Sequence, residues 1–191
     1  VMAMKPLLAF DFDGTLTPIV PHPDDARLAP QVAAQLQKLG ERLPLAIVTG
    51  RPVADVRPRL GFVPRFLLGS HGAEDESDPE GTAARRAALD GLRGKLQDRA
   101  SDLAAAGVMV EDKAVSMALH YRLADDPAAA QALIARLTAP WHGPLHIYGG
   151  KMVVNAVVAD APDKAHAVEA LVARCGAAAA FFAGDDVNDE P

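Results

Sequence analysis

The stretch LLAFDFDGTLTP at residues 7–18 ends an apolar run abruptly at two aspartates, and few arrangements can accommodate that. The four residues 7–10 are too short for a helix and predict a fully buried strand. Side chains alternate along a strand, so Asp11 and Asp13 are expected on one side, with Phe10 and Phe12 on the other. Gly14 allows the sharp turn that takes the chain out of the sheet. Carboxylates at the C-terminal end of a buried strand lie where open α/β sheets bind ligands. Like charges that close repel, so a cation or a shared proton is required. The alternative is an acidic strand end that caps the following helix.

Composition narrows the class. The chain has 191 residues, 50% of them apolar, enough for one core with a small inserted domain. A net charge of −6 with no basic stripe argues against nucleic acid as a partner. It does not argue against an anionic substrate, because a bound divalent ion would screen the site aspartates. The single cysteine, Cys175, cannot form an intrachain disulfide and fits a reducing compartment. No apolar run approaches the roughly 18 residues of a membrane span. A cytoplasmic monomer without membrane association is expected. The chain opens VMAMKP and stops at Pro191, just after an acidic motif, so further residues that complete the sheet are also expected.

Along the chain, residues 28–39 carry apolar positions at helical spacing, with Gly40 as the expected C-cap. Strands are expected at 45–48, 66–68 and 178–183, the last buried, and helices at 52–60 and 164–174. Each strand runs into a polar, glycine-containing loop, the pattern of a parallel sheet with its ligand at the carboxyl edge. The character changes near Asp75, where 75–81 reads as a linker. A helix at 82–106, broken at Gly91 or Gly94, precedes strands at 108–111 and 115–122 joined by a tight Asp112–Lys113 turn. A helix at 127–137 and strands at 145–148 and 152–158 follow, with Gly149–Gly150 as the hairpin signal. The order αββαββ marks an α+β layer inserted into an α/β protein. The expected domains are therefore a catalytic core of 1–77 with 160–191, and a cap of 78–159.

DFDGTLTPIV resembles the nucleophile motif of the haloacid dehalogenase (HAD) superfamily, and its tail resembles the trehalose-6-phosphate phosphatases more narrowly. The resemblance implies a HAD-like, Rossmann-type three-layer core with a parallel sheet. It makes Asp11 the nucleophile and Asp13 the general acid/base. The ordered motifs continue with Thr49, then Lys164, then GDDVNDE at 184–190. Phosphate monoester hydrolysis needs acceleration by up to about 10²¹-fold, so nucleophile, acid, charge neutralisation and phosphate clamps must act together. Asp11 can attack phosphorus, and Asp13 can protonate the leaving oxygen and then activate water. Asp185 and Asp189, with Asp11 and Asp13, are expected to hold Mg²⁺, a hard ion that takes oxygen ligands. Thr49, the Gly50 amide and Lys164 at a helix start are expected to bind phosphate. Taken singly, Thr49 reads as a helix cap and Lys164 as a solvated helix end, and their order favours the site; GDDVNDE is fairly specific by itself, its alternative being an acidic calcium-binding loop.

Further blocks match the same family. GSHGAE at 69–74 is similar to its GNHGAE, with Ser70 for Asn. VEDKAVSMALHYR at 110–122 is similar to its sugar-contacting segment, which implies Glu111, Lys113 and Arg122. GGKMVVN at 149–155 resembles GKxVxE, which implies Lys151, while Asn155 replaces the glutamate. The family's following Arg-Pro and Gly are absent from AVVADAPDK. Arg51 and His71 complete the expected substrate contacts, although Arg51 can equally pair with a site carboxylate, and His71 and Glu74 with loop neighbours. The expected reaction is hydrolysis of trehalose 6-phosphate through an aspartyl phosphate. A phosphatase for another sugar phosphate, or a non-catalytic sugar-phosphate-binding fragment, stands as the alternative.

Overall fold

LLAF, LAIV and FLLG form strands because each is a short apolar run that must be buried on both faces. The computed structural model describes residues 5–185. In chain order these strands and their helices are β1 (Leu7–Phe10), α1 (Pro30–Gly40), β2 (Leu45–Val48), α2 (Val53–Leu60), β3 (Phe66–Gly69) and β4 (Glu74–Asp75). Then come α3 (Pro79–Ala88), α4 (Asp90–Asp98), α5 (Ala100–Ala105), β5 (Met109–Asp112), β6 (Ser116–His120), α6 (Pro127–Thr138), β7 (Leu145–Gly150) and β8 (Val153–Val158). The order closes with α7 (Lys164–Cys175) and β9 (Ala180–Ala183). Two compact units result: Val1–Pro79 with Pro162–Pro191, and Glu80–Ala161. No helix among the described residues is long and apolar enough to cross a membrane.

The first unit is a sheet of order β4-β3-β2-β1-β9, parallel except for β4. Alternation along the strands sorts the core into two layers. Phe12, Leu45, Ile47 and Leu67 pack with Leu36, Val56 and Leu60 of α1 and α2. Leu7, Ala9, Ala46, Val48 and Leu68 pack with Ala167, Val168 and Leu171 of α7. The result is the three-layer α/β arrangement expected.

The second unit is an antiparallel sheet of order β5-β6-β8-β7. One face, through Met117, Leu119, Ala156 and Leu145, packs on Leu89, Leu92, Leu103 and Ile134 of the helical layer.

Several local expectations are corrected. Gly40 lies inside α1, and Glu41 is the C-cap. The long helix breaks at Leu89 and Arg99, not at a glycine; the breaks leave Leu89, Leu92, Leu96 and Leu103 all buried in the core of this unit. The β7–β8 pairing runs through Gly150↔Val153, which moves the turn to Lys151 and Met152, with Met152 at φ 62. Asp112 closes β5, and the following turn passes through Ala114 at φ 67. The strand at 178–183 was expected to be buried, yet Phe181 is 55% exposed, because β9 borders only β1 among the described residues.

The expected linker begins instead with β4, whose Asp75 accepts a hydrogen bond from Arg174 Nη1 at 2.8 Å and from the Ser77 amide. Burial pushes the Asp75 carboxyl up, but the bonds from Ser77 and Arg174 outweigh it and hold it below the usual carboxylate range. A depressed folded pKa gives stability that is complete above the unfolded value, about 3.9, and is lost as pH falls through the folded one. Asp75→Asn should therefore lower stability at neutral pH and flatten the acid limb of a urea-midpoint-against-pH curve below about pH 4; an unchanged limb would remove Asp75 from the account.

Candidate active site

Odd-numbered side chains of β1 face the α7 layer, and Asp11, the next odd residue, meets the first residue of that helix. Lys164 Nζ lies 3.0 Å from Asp11 Oδ1, with the residues only 6% and 5% exposed. Asp163 is the helix N-cap, its carboxylate accepting from the His166 amide at 2.9 Å. A cap so placed fixes where α7 starts, and hence where the Lys164 ammonium lies.

Asp13 has a different partner. The strand ends at Phe10, so the alternation expected to align both carboxylates does not carry through the turn. Arg51 Nε and Nη2 donate to Asp13 Oδ2 and Oδ1 at 2.6 and 2.8 Å, a two-point fork. Arg51 also donates to Asp55 Oδ2 at 2.8 Å and to the Pro23 carbonyl at 2.9 Å. The Asp13 hydrogen bond raises the Arg51 pKa above its ordinary value despite the opposing cost of burial, so the guanidinium stays charged. Of the two readings of Arg51, the structure displays the pairing with a site carboxylate.

The loops after β2 and β3 are bound to one another. Thr49 is fully buried; its hydroxyl accepts from the Arg51 amide at 3.2 Å, and its carbonyl accepts from the His71 amide at 2.9 Å. The Ser70 amide donates to the Arg51 carbonyl at 2.8 Å. Gly69 is required here, since a Cβ would come within 2.6 Å of the Val53 nitrogen. His71 is exposed, with its ring over Gly50, and both Ser70 and His71 have positive φ. Buried Glu74 accepts from the Val53 amide at 2.7 Å, which satisfies an open donor at the start of α2.

Asp185 lies across the turn after Asp13. Gly14 has φ +82, and a Cβ there would sit 2.0 Å from Asp185 Oδ2. Thr15 Oγ1 donates to Asp185 Oδ1 at 3.4 Å. Asp189 lies outside the described residues. Among those described, no group of three or more His, Cys, Asp or Glu forms a ready metal cluster. The groups near Gly14 are nevertheless carboxylate and hydroxyl oxygens, the donor type a hard divalent ion takes.

In the second unit, the register Glu111↔Ala118↔Asn155↔Tyr148 puts Glu111 and Asn155 in one row on the face opposite the core. Glu111 Oε2 lies 3.0 Å from His120 Nε2 and 3.4 Å from Lys113 Nζ. Partial burial pushes the Glu111 carboxyl up, but these two neighbours hold it below its usual range. Arg122 and Lys151 are exposed beyond the strands, at the sheet end where the Tyr121 amide bonds the Met152 carbonyl. Lys113 leaves the sheet at the other end. The five expected sugar contacts thus divide into a central pair and two separated ends. Residues 120, 146 and 148 share the Glu111 face and were missed; His146 and Tyr148 stack with ring centroids 5.1 Å apart. Alternation along β8 from Asn155 reaches only Val153 and Val157; the pairing register brings the other three to this face.

With the geometry in place, comparison with known proteins decides the family. The trehalose-phosphatase family model matches residues 9–191. The chain belongs to the trehalose-phosphatase family. The trehalose-phosphate phosphatase of Mycobacterium bovis (strain BCG / Pasteur 1173P2) is 37% identical over 160 residues, covering 81% of this chain and 41% of that protein. An uncharacterized glycosyl hydrolase of Mycobacterium tuberculosis is 36% identical over 202 residues, covering 97% of this chain and 15% of that one. The chain thus spans less than half the length of these curated relatives. Among solved structures, a trehalose-6-phosphate phosphatase related protein aligns with TM-score 0.67 at 22% identity, over 96% of this chain and 79% of that one. The sucrose-phosphatase of Synechocystis aligns with TM-score 0.58 at 19% identity, over 98% and 78%. At such identities the structures establish the fold alone, α/β with a mostly parallel sheet. Membership of the family implies a metal cofactor.

The Asp11–Lys164 pair should be measurable as coupling. Removing one member of a buried pair typically costs about 3–5 kcal/mol. In urea unfolding with chelator present, Lys164→Met should show a loss of about that size, and Asp11→Asn in the same chain should recover part of it. Additive losses would mean that the two side chains do not interact.

Proposed function

We propose that the chain is a phosphomonoester hydrolase acting on trehalose 6-phosphate through a phosphorylated Asp11. The observation that carries this reading is the buried Asp11 carboxylate against Lys164, with a second carboxylate, Asp13, held two residues on. The ammonium of Lys164 offsets the repulsion between Asp11 and an anionic phosphate. Thr49 and the Gly50 amide are the proposed phosphate contacts at the end of β2.

In the first step an Asp11 oxygen bonds phosphorus, the bond from phosphorus to the sugar oxygen breaks, and that oxygen takes a proton from Asp13. In the second, water bonds phosphorus and gives its proton to Asp13, and the bond from phosphorus to Asp11 breaks. Asp11, Asp13 and Asp185 with Asp189 would hold Mg²⁺, which would supply charge neutralisation at the transferring phosphoryl group. The first unit is the proposed catalytic core and the second the proposed cap, where Glu111 and Asn155 offer hydrogen bonds to sugar hydroxyls and Lys113, Arg122 and Lys151 add charge at the ends. Arg51 is assigned to Asp13, while His71 beside Gly50 remains a proposed substrate contact. A cytoplasmic setting fits the lone Cys175.

Asn155 in place of the family's glutamate favours a second reading, in which the substrate is a different sugar phosphate. Phosphate release from a panel of sugar phosphates, with Mg²⁺ and with chelator, separates the two. Trehalose 6-phosphate should exceed glucose 6-phosphate in kcat/KM by orders of magnitude, because contacts to the distal ring position the reacting group. Asp11→Asn should abolish release, and Asp13→Asn should reduce it about 10²- to 10⁴-fold. Equal efficiency on both substrates would overturn the substrate; undiminished turnover by Asp11→Asn would overturn the mechanism.

A further inference from the structure

Arg59 is a guanidinium only 9% exposed, on the second turn of α2, and nothing in the proposed reaction uses it. Its Nε donates to the Asp55 carbonyl at 2.9 Å and to Asp55 Oδ1 at 3.1 Å, and Nη2 donates to the same oxygen. Its Nη1 donates to the Asp24 carbonyl at 2.7 Å and to the Pro23 carbonyl at 3.3 Å. Asp55 gives its other oxygen, Oδ2, to Arg51, and the Pro23 carbonyl also accepts from Arg51. Two like-charged guanidinium groups are thus joined by one carboxylate and one carbonyl, and the first of them forks onto Asp13.

The spacing 51, 55, 59 explains how the chain builds this. Residues four apart lie on one face of a helix, so α2 and its lead-in present Arg51, Asp55 and Arg59 in file toward the loop that holds Pro23 and Asp24. Burial pushes the Asp55 carboxyl up, but the hydrogen bonds from Arg51 and Arg59 outweigh it, so Asp55 stays ionised between its two cations. The guanidinium groups are largely buried and the carboxylates only partly so, and such a cluster contributes little net stability compared with apolar packing of the same volume. What it supplies is geometry: each guanidinium is planar, and with its donors occupied it has little freedom to rotate.

We propose that Asp55 and Arg59 are positioning residues for Asp13, acting through Arg51. The inference rests on the reading of Asp13 as the general acid. A two-point fork suits that task. When one Asp13 oxygen turns to the leaving group, the other bond to Arg51 still keeps the carboxyl from swinging away, and the Asp55–Arg59 layer keeps Arg51 from following it.

The reacting bond provides a readout that a merely structural role would not move. A sugar alkoxide is a poor leaving group and needs the proton from Asp13, whereas p-nitrophenolate leaves without one. In the full chain with Mg²⁺, assayed well below each variant's measured melting temperature, Arg59→Met should lower kcat/KM for the sugar phosphate about 10- to 100-fold through kcat. It should change kcat/KM for p-nitrophenyl phosphate, which reports only the steps up to departure of the phenolate, by less than about twofold, with Arg59→Lys in between. Asp13→Asn should lower turnover of both substrates, because Asp13 also activates water in the second step, but that of the sugar phosphate by the larger factor. If Arg59→Met does not fold, Asp55→Asn, which weakens both bridges with little change of volume, carries the same expectation. Equal losses on both substrates from Arg59→Met or Asp55→Asn, while Asp13→Asn discriminates between them, would overturn the proposal alone. An Asp13→Asn variant that loses equally on both would overturn the general-acid reading, and the proposal with it.

Discussion

The site depends first on one buried ion pair, Lys164 with Asp11, which ties the end of β1 to the start of α7. The two residues are 153 positions apart, and the whole second unit is inserted between them. Taking both charges out of water is costly, and only a partner at hydrogen-bonding distance makes it tolerable. The sheet supplies the precision. Parallel pairing of β1 with β2 and β9 sets the strand, its alternation selects the α7 side, and the Asp163 cap sets the first turn of the helix. On the proposed reading, the nucleophile is held by the same contact that joins two segments of the fold.

Around that pair the loops are fastened by backbone. Thr49 accepts from the His71 amide, Ser70 donates to Arg51, and Glu74 closes the start of α2. Gly14 and Gly69 are the places where no side chain fits, against the Asp185 carboxylate and the Val53 amide respectively. Asp13 is held instead by side chains, through a fork from Arg51 that Asp55 and Pro23 support. On the proposed roles, the nucleophile is fixed by one buried ammonium, while the acid, held by a fork, can shift within a short range as it exchanges its proton.

Much of this was legible in the sequence because short apolar runs ending at Asp11, Thr49 and Ser70 leave one arrangement open, a parallel sheet with its loops on one edge. The residues paired across that edge were less legible. Arg59 reads as an ordinary helix charge, and its burial follows from where the loop holding Pro23 and Asp24 folds back, which no local pattern encodes. The two residues of β4 are too few to show alternation. Gly149 and Gly150 mark a turn by composition, yet strand register moved it to Lys151 and Met152. In the second unit the sequence order put Glu111, Lys113, Arg122 and Lys151 in one group; the sheet keeps Lys113 beside Glu111 but puts Arg122 and Lys151 at the opposite end, because β5 and β6 run antiparallel. His120, beside Glu111, became visible only with the pairing of those strands.

The central claim is that Asp11 carries the phosphoryl group. The most direct measurement is rapid acid quench of the full chain during turnover of trehalose 6-phosphate with Mg²⁺, followed by peptide mapping. The account predicts a phosphoryl group on the peptide that holds Asp11, stable to acid and lost in base, with configuration at phosphorus retained overall. No phosphorylated peptide, together with inversion at phosphorus, would mean that water attacks directly and would contradict it.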